Sequence, residues 1–366
     1  MPYNPHVRKV LLFGYFGEDN YGDDLLLWSA ALGLAKHIET GKAELSVLST
    51  KPYPKFPVPA TFIPRLKLSE VNKAVRQSDI VCAPGGGLLQ DSTSLKSLLY
   101  YLNIVRLAQL LGKPVLLLAQ GIGPIKSQIG RLACSRILRR AYRISVRDEA
   151  SKELLASLLG PKAKIEVTAD FAFSLGSALR PDERGQIARG AKQEPVILVC
   201  PRETGNPEIQ LTQLSTALIY AGNLFETGKP IYRFFAMHKG RDSELCRKLI
   251  SRVGGEMITA ETDNPLSAFA AFDGAAAVLS FRLHGCVVSA LRAKPFVAIS
   301  YDPKVESFAN SFNKQCFQSD GFDPKAVGRA IADSANSIST EYGGSALENA
   351  ITASKSDTRA LVEMLD

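Results

Sequence analysis

The sequence predicts an α/β protein of two domains, each built on a parallel β-sheet covered by helices. The chain has 366 residues, which suits two domains of roughly 180 residues each. Short β-rich segments alternate with longer segments of helical periodicity from end to end, a pattern typical of parallel sheets. Hydrophobic residues make up 46% of the chain and charged residues 22%, which argues against disorder and against a fibrous repeat.

The first half of the chain contains six segments that we predict to be strands. Each is short and apolar, and longer segments of helical spacing separate most of them, so the strands should lie parallel to one another. The predicted strands are residues 9–13, 45–49, 80–83, 115–119, 143–146 and 165–167.

A polar segment with glycines, arginines and a proline, residues 176–194, breaks this pattern and is predicted to link the domains. Five more predicted strands follow, at residues 196–200, 231–236, 256–259, 276–279 and 296–300. We therefore predict an N-terminal Rossmann-like domain at 1–180 and a C-terminal one at 181–344, with parallel sheets facing across a cleft. Residues 345–366 have helical spacing, and this helix either closes the structure or crosses back to the first domain.

The apolar segments argue against membrane-spanning and exported proteins. The longest runs, such as residues 115–119 and 275–279, are far shorter than the roughly 20 residues of a membrane-spanning helix. The start of the chain lacks the apolar stretch and cleavage site of a secretory signal. We therefore expect a cytoplasmic protein.

Six cysteines are spread along the chain without a CxxC pair, so neither a metal site nor a redox motif is predicted. We expect them to be reduced residues of the core. They are Cys82, Cys134, Cys200, Cys246, Cys286 and Cys316.

The positive charge is concentrated in the first half of the chain. The net charge is +8, and residues 1–180 hold 24 Lys and Arg against 14 Asp and Glu. The predicted helix RLACSRILRRAYR carries Arg131, Arg136, Arg139, Arg140 and Arg143. Such a face could contact the anionic inner surface of a membrane or a lipid-linked diphosphate, and it could equally be a solvated helix face. Nucleic-acid binding is not indicated, because no aromatic side chains alternate with these charges.

Glycine-rich turns follow three strands of the first domain and read GYFGEDNYGDD, PGGGLLQDSTS and QGIGPI. Glycine lets backbone N–H groups approach an anionic ligand, and the helix start that follows adds positive potential. We therefore predict phosphate or carboxylate binding at these turns, although tight strand-to-helix turns alone would also give this pattern. The lack of GxGxxG and GxxxxGK[ST] argues against a dinucleotide site and a P-loop.

The residues that we predict to contact substrate are drawn from these turns, with one glycine from the second domain. They are Gly14, Gly17, Asn20, Gly22, Gly85, Gly86, Gly87, Gln90, Gln120, Gly121 and Gly285.

Two further strand ends carry side chains suited to chemistry. Arg147 follows the fifth strand and could clamp a carboxylate or phosphate, or it could pair with Asp148 or Glu149 instead. In the second domain, Arg282 and His284 lie where a strand ends and an apolar helix begins. His284 is the only one of the four histidines with a strand-end position beside both an arginine and a glycine, although a structural histidine is the alternative.

Seven motifs, taken in order, resemble those of the polysaccharide pyruvyl transferase family, which includes CsaB-type enzymes that modify secondary cell-wall polymers. The motifs are GYFGEDNYGDD, PGGGLLQD, QGIGP, VRDEAS, TADFAF, FRLHG and VAISYDPKV. The resemblance runs from about Val10 to Pro303. The chain departs from the family at Phe171, where a proline commonly follows the aspartate of the TAD motif.

The resemblance implies a GT-B-like fold and an enzyme that takes a pyruvyl group from phosphoenolpyruvate bound between the domains. It also implies that Arg147, Arg282 and His284 hold this donor. The expected product is a cyclic pyruvate ketal on two hydroxyls of a sugar in a cell-surface polysaccharide or lipid-linked precursor. The reaction requires neither a metal nor an organic cofactor.

The donor must gain a proton on its methylene carbon, and His284 is the predicted acid because the ordinary pKa of histidine is about 6.5. The arginines would stabilise the charge on the departing phosphate. Asp23, Asp91 and Asp170 all follow strand ends, and the sequence does not distinguish which of them is the base.

Two rival functions fit the same fold class. A sugar-nucleotide glycosyltransferase or epimerase would release a nucleoside diphosphate instead of phosphate. A binding module without catalytic activity would recognise a glycan or an anionic surface, but the presence of both Arg147 and His284 argues against it.

Overall fold

A computed structural model of the chain describes residues 7–176, 194–226, 228–259, 264–337 and 344–366. The chain folds into two units. Unit 1 comprises Met1–Leu175 and Ala350–Asp366, and unit 2 comprises Gly176–Asn349. Most of the segment predicted to link the domains, residues 177–193, lies outside the described residues.

Unit 1 is a parallel sheet with its helices. Its strands are β1 (Arg8–Leu12), β2 (Ala43–Ser49), β3 (Thr61–Pro64), β4 (Ile80–Pro84), β5 (Val115–Gln120), β6 (Arg143–Val146) and β7 (Glu166–Val167). Its helices are α1 (Tyr21–Glu39), α2 (Leu68–Gln77), α3 (Leu95–Leu110), α4 (Gln128–Leu138) and α5 (Glu149–Leu159). The strand order is β3-β2-β1-β4-β5-β6-β7, and every pair is parallel.

Unit 2 repeats this architecture with six strands. They are β8 (Val196–Cys200), β9 (Ile231–Phe235), β10 (Glu256–Ile258), β11 (Ala277–Ser280), β12 (Phe296–Ser300) and β13 (Cys316–Gln318), in the parallel order β10-β9-β8-β11-β12-β13. The helices are α6 (Pro207–Gly222), α7 (Lys239–Val253), α8 (Phe269–Asp273), α9 (Leu283–Leu291), α10 (Pro303–Ser311) and α11 (Pro324–Asn336), and α12 (Ser345–Val362) follows them.

The central strands explain why the sheets are parallel. Every residue of β4, β5, β11 and β12 is buried. Strands covered on both faces read as continuous apolar runs, because neither face meets water. The prediction of two parallel-sheet α/β domains is therefore confirmed.

Two strands, β3 and β13, were not predicted from the sequence. Both lie at sheet edges and are short, and neither contains a fully buried residue. An edge strand is half covered and needs no apolar run, so its sequence gives little signal. The proline-rich segment before β3 also resembles a loop.

Three helices of unit 2 begin with an Asx-Pro pair. The side chain of Asn206, Asp302 or Asp323 accepts a hydrogen bond from a backbone N–H of the first turn. Proline follows each cap. Its fixed φ suits the first helical position, and an N–H group at that position would have no partner within the helix, so its absence costs nothing. These pairs fix where α6, α10 and α11 start.

The arginine-rich segment is only partly helical, which corrects the sequence-based expectation. Helix α4 ends at Leu138, so Arg139 and Arg140 follow it, and Arg143 lies in β6. Arg143 forms ion pairs with Glu166 and Asp357. It therefore does not belong to the exposed basic face.

The described cysteines are free, and five of the six are buried, the exception being the half-buried Cys316. Within the described ranges, no helix has both the length and the apolar character needed to cross a bilayer.

Helix α12 supplies a buried carboxylate to unit 1. Asp357 accepts hydrogen bonds of 2.7 Å from the hydroxyls of Ser145 and Thr168, which lie in and just after β6 and β7. A Cβ added to Gly33 of α1 would lie 2.8 Å from the side chain of Thr358. The C-terminal segment is therefore part of the packing of unit 1.

Candidate functional site

The turns after β1 and β4 meet where the chain order of the unit 1 sheet reverses. β1 and β4 are neighbours, and later strands run outward from them on opposite sides. Ligands of open parallel sheets bind beyond the carboxyl ends of strands at such a point. Gly86 has a φ of +93°, and a Cβ there would lie 3.2 Å from Oδ1 of Asp23. The structure thus brings two of the predicted turns into contact.

Asp23 lies in the first turn of α1 and is almost fully buried. Its carboxylate accepts a hydrogen bond from the Asn20 side chain. Burial and, to a lesser extent, the neighbouring Asp24 raise the pKa of Asp23 to about 7, while Arg147 lowers it in part. A carboxyl group in this environment can exchange a proton near neutral pH.

Asp24 has a more structural environment than its neighbour. It accepts hydrogen bonds from the Tyr53 hydroxyl and from the backbone N–H of Gly17. Burial raises the pKa of Asp24 and these two hydrogen bonds lower it in part, which leaves it at about 6. Asp24 therefore fixes the turn after β1, in which Gly17 needs its positive φ of +82°.

Arg147 lies beyond the end of β6 with only 6% of its side chain exposed. Its Nη1 is 3.1 Å from Oδ2 of Asp170, and its Nε is 3.7 Å from Asp148. A Cβ on Gly121 would lie 2.5 Å from Arg147 Nη2, so the glycine after β5 makes room for this guanidinium. Of the alternatives left open by the sequence, Arg147 does contact Asp148, but its shorter contact is with Asp170.

The other predicted residues of unit 1 mainly shape the turns. The Gln120 amide donates to the carbonyls of Ala83, Gly85 and Leu118, each at 3.0 Å, which joins the end of β5 to the PGGG turn. Gln90 bonds to its own turn through Ser92 and Thr93.

Asp91 fixes a neighbouring loop. Its carboxylate accepts hydrogen bonds from the backbone N–H groups of Lys126 and Ser127 and from the Ser127 hydroxyl. Burial is the largest single effect on the pKa of Asp91 and raises it, but the hydrogen bonds from Ser127 and Lys126 together outweigh it, so the pKa falls below its ordinary value. This environment suits a permanent anion rather than a proton acceptor.

The remaining predicted glycines lie in tight surroundings. A Cβ on Gly14 would meet the Phe16 ring at 2.4 Å, and one on Gly285 would meet Ser280 Oγ at 2.2 Å. Gly22 is a buried residue of the first turn of α1, and Gly87 is a half-buried residue of the PGGG turn. Close packing accounts for Gly14 and Gly285 without a ligand.

Unit 2 has its own switch point, between β8 and β11. Arg282 follows β11 as the N-cap residue of α9. One edge of its guanidinium is held by Asp242 of α7, since Nε lies 3.1 Å from Oδ2 and Nη2 bonds to Oδ1. The Asp242 side chain is 0% exposed. This two-point contact fixes the plane of the guanidinium.

His284 lies in the first turn of α9 and is half-buried. It stands two residues after Arg282, as the sequence predicts, at the carboxyl end of β11. A helix start presents backbone N–H groups and positive potential, which favour an anion beside both side chains.

Sequence reasoning missed three residues at the same sheet edge. Arg202 follows β8, and its guanidinium lies 4.1 Å from the ring centre of Tyr301, which follows β12. His238 follows β9 and is the N-cap residue of α7. Their positions could have indicated them, because each stands within a few residues of the end of a predicted strand.

Among the described residues, no group of three or more His, Cys, Asp or Glu side chains is arranged to hold a metal ion.

The fold resembles sugar-nucleotide enzymes in solved structures. Anabaena HepE, crystallised with UDP and glucose, shares 14% identity with a TM-score of 0.58, over 98% of this chain and 99% of that one. A glycosyltransferase from Rickettsia africae shares 12% identity with a TM-score of 0.61, over 99% and 98%. The UDP-GlcNAc 2-epimerase from Neisseria meningitidis bound to UDP-GlcNAc shares 15% identity with a TM-score of 0.56, over 97% and 100%. These similarities show a GT-B-like fold, as the sequence predicts.

No curated protein matches the sequence. The family model "Polysaccharide pyruvyl transferase" matches residues 20–303, a range that contains Asp23, Arg147, Arg282 and His284. The chain therefore belongs to the polysaccharide pyruvyl transferase family and is an enzyme of that class.

Proposed function

We propose that this pyruvyl transferase uses phosphoenolpyruvate as its donor and forms a cyclic pyruvate ketal on two hydroxyls of a sugar. The sugar belongs to a cell-surface polysaccharide such as a cell-wall polymer, or to its lipid-linked precursor. The observation that carries the proposal is Arg282, held by buried Asp242 beside His284 at the switch point of unit 2.

The donor carries a carboxylate and a phosphate, and unit 2 offers cations for both. Arg282 is oriented by two contacts with Asp242, and Arg202 lies against Tyr301 at the adjacent strand end. Guanidinium groups bind carboxylate and phosphate through paired N–H groups. Since Arg282 is already oriented, little side-chain entropy is lost when an anion binds.

His284 is the proposed acid. It donates a proton to the methylene carbon, which becomes a methyl group, and the adjacent carbon becomes electrophilic. One sugar hydroxyl adds to that carbon, the C–O bond to phosphate breaks, and the second hydroxyl closes the ring. One hydroxyl proton ends on the methyl group and the other on phosphate, so the reaction balances without a metal or organic cofactor.

Asp23 is the proposed base for the sugar hydroxyl. Of the three carboxylates left open by the sequence, Asp91 is held by three hydrogen bonds and Asp170 is paired with Arg147. The pKa of Asp23 is raised to about 7, by burial and then by Asp24. A pKa near the working pH suits a group that accepts a proton and returns it. Arg147 then remains the proposed cation of unit 1 for an anionic substrate group.

The test is a coupled measurement of phosphate release and product mass. The protein is incubated with phosphoenolpyruvate and a panel of lipid-linked or aryl glycosides, and we expect phosphate release together with a mass gain matching a pyruvate ketal. His284→Ala should reduce phosphate release by about 100-fold or more. The control is His37→Ala, which alters a histidine of α1 that faces Asp366. Release of a nucleoside diphosphate from sugar nucleotides, with no phosphate from phosphoenolpyruvate, would favour the glycosyltransferase alternative.

We also propose that the exposed face of α4 contacts the anionic inner surface of a membrane, as a lipid-linked acceptor would require. Arg131 and Arg136 are exposed, and Ile129 and Leu132 are 62% and 51% exposed on the same helix, which contains no acidic residue. Apolar and basic side chains together favour an anionic lipid surface.

Vesicle flotation tests this contact. Arg131→Glu combined with Arg136→Glu should abolish binding to vesicles that contain anionic lipid. Lys325→Glu combined with Arg329→Glu, an equal charge change on exposed residues of α11, should not. Equal binding by both double variants would contradict the proposal.

A further inference from the structure

The carboxyl ends of four adjacent strands in unit 2 carry polar side chains. The strand order β9-β8-β11-β12 places these ends along one edge of the sheet. His238 follows β9, Arg202 follows β8, Arg282 follows β11 and Tyr301 follows β12. His238 is thus a second histidine at the edge that carries Arg282 and His284.

One carboxylate oxygen joins His238 to Arg282. Oδ2 of Asp242 accepts a 2.8 Å hydrogen bond from the backbone N–H of His238 and a 3.1 Å hydrogen bond from Nε of Arg282. Asp242 is fully buried, so both contacts are shielded from water. The backbone of His238 and the guanidinium of Arg282 are therefore held in a fixed relation.

The backbone N–H of His238 has a hydrogen-bond partner, but its imidazole ring does not share in this contact. Both ring nitrogens are inaccessible to water, and neither has a hydrogen-bond partner within the described part of the chain. A buried polar atom without a partner costs free energy that a bound hydrogen-bonding ligand would recover. Most buried polar groups in folded proteins are paired, so a ring with two unpaired nitrogens indicates a missing partner.

The charges around His238 indicate the sign of that partner. Arg241 lies on its own helix and Arg282 on the neighbouring element, and the carboxylate of Asp242 opposes them. Burial, then Arg241, then Arg282 lower the pKa of His238 below its ordinary value, against the opposing effect of Asp242. The imidazole is therefore neutral at pH 7 in the unliganded protein, and an anion would be attracted by the same arginines.

We propose that His238 is a donor-binding residue whose ring donates a hydrogen bond to a carboxylate or phosphate oxygen of phosphoenolpyruvate and takes up a proton as this anion binds. The inference rests on the proposed function, because it concerns the same donor. It assigns to the site a second titrating histidine, with a role in binding that is separate from proton donation by His284.

The direction of the pH effect follows from the charges. A bound anion offsets the field of Arg241 and Arg282 and raises the pKa of His238, so binding takes up a proton from solvent. Donor affinity should therefore increase as the pH falls toward the pKa of His238 in the complex. Glutamine at this position keeps a neutral N–H donor and the backbone contact with Asp242, but it cannot gain a charge.

The experiment is isothermal titration calorimetry of phosphoenolpyruvate into the full chain between pH 6 and pH 8.5, in buffers of different ionisation enthalpy. The proteins are the wild type, His238→Gln and the control His37→Gln. The donor phosphate and His284 titrate in all three, so the difference between wild type and His238→Gln isolates His238. We expect His238→Gln to bind about tenfold more weakly than wild type at pH 6, as for loss of a charge-assisted hydrogen bond. At pH 8.5 the two should agree within about twofold, because both side chains are then neutral donors.

Proton uptake should be smaller for His238→Gln than for the wild type, and His37→Gln should match the wild type. The same pH dependence and the same proton uptake in His238→Gln would overturn the role of His238 while leaving the donor assignment in place. Absence of any binding of phosphoenolpyruvate to the wild type would instead refute the donor assignment, and this inference with it.

Discussion

The proposed base, Asp23, should make the enzyme less stable at the pH where it is active. Its pKa is about 7 in the folded protein against 3.8 for an ordinary aspartate. Between these values the folded protein binds more protons than the unfolded chain, so the free energy of unfolding falls as the pH rises. The two pKa units between pH 5 and pH 7 correspond to about 3 kcal/mol, at about 1.4 kcal/mol per unit. Asp23→Asn is neutral at every pH and should lack this decrease.

The assay is urea unfolding at pH 5 and pH 8, followed by the fluorescence of Trp28. Trp28 is the only tryptophan of the chain and is buried in α1, the helix that carries Asp23. It therefore reports unit 1 selectively. Relative to the wild type, Asp23→Asn should gain about 3 kcal/mol between pH 5 and pH 8. The control, Glu70→Gln at an exposed position of α2, should follow the wild type.

The same variant should lose turnover by about 100-fold or more, because an amide cannot accept the hydroxyl proton. A variant that is more stable at pH 8 and inactive would be the signature of a base kept in a desolvated position. If the stability of Asp23→Asn and of the wild type changed in parallel between pH 5 and pH 8, the reasoning about Asp23 would be refuted.

Three further variants test the packing of the two sites. Arg282→Ala should lower the stability of unit 2 by about 3–5 kcal/mol in thermal or urea unfolding, because it leaves the buried carboxylate of Asp242 without its cation. An unchanged unfolding midpoint would contradict this. Asp357→Ala should lower the stability of unit 1 by about 2–3 kcal/mol, since two hydroxyls lose their acceptor, and an unchanged Trp28 unfolding curve would contradict this. Gly86→Ala should destabilise unit 1 by about 1–2 kcal/mol because its φ is +93°, and a stability equal to wild type would show that the turn can relax.

The sequence predicts the sheets well because the relevant signal is local. Fully buried strands such as β5 and β12 are largely apolar runs, and a glycine-rich turn marks the end of β5. The edge strands β3 and β13 lack this signal, since half of an edge strand needs no burial. The end of α4 was also misplaced, because basic residues continue past Leu138 without a glycine or proline to mark the stop.

In unit 2, the sequence suggested only candidate residues that stand close together in the chain. Arg282 and His284 stand two positions apart and follow one strand. The partner that orients Arg282 is Asp242, 40 residues away, and Arg202 meets Tyr301 across 99 residues. Such pairings depend on which strands are neighbours, and strand order is a property of the whole sheet. The residue that follows each predicted strand could have been named as a candidate from the sequence. The side chain that it contacts could not.

The carboxylate of Asp357 has a consequence for how the protein is made. It accepts a hydrogen bond from Ser145, which the ribosome adds 212 residues earlier. During synthesis, the hydroxyls of Ser145 and Thr168 lack this acceptor until unit 2, which lies between Thr168 and Asp357 in the chain, has been translated. Long-range contacts of this kind form late, because the intervening chain must first be ordered. Nascent unit 1 is therefore incomplete and more exposed to proteases and chaperones until α12 emerges.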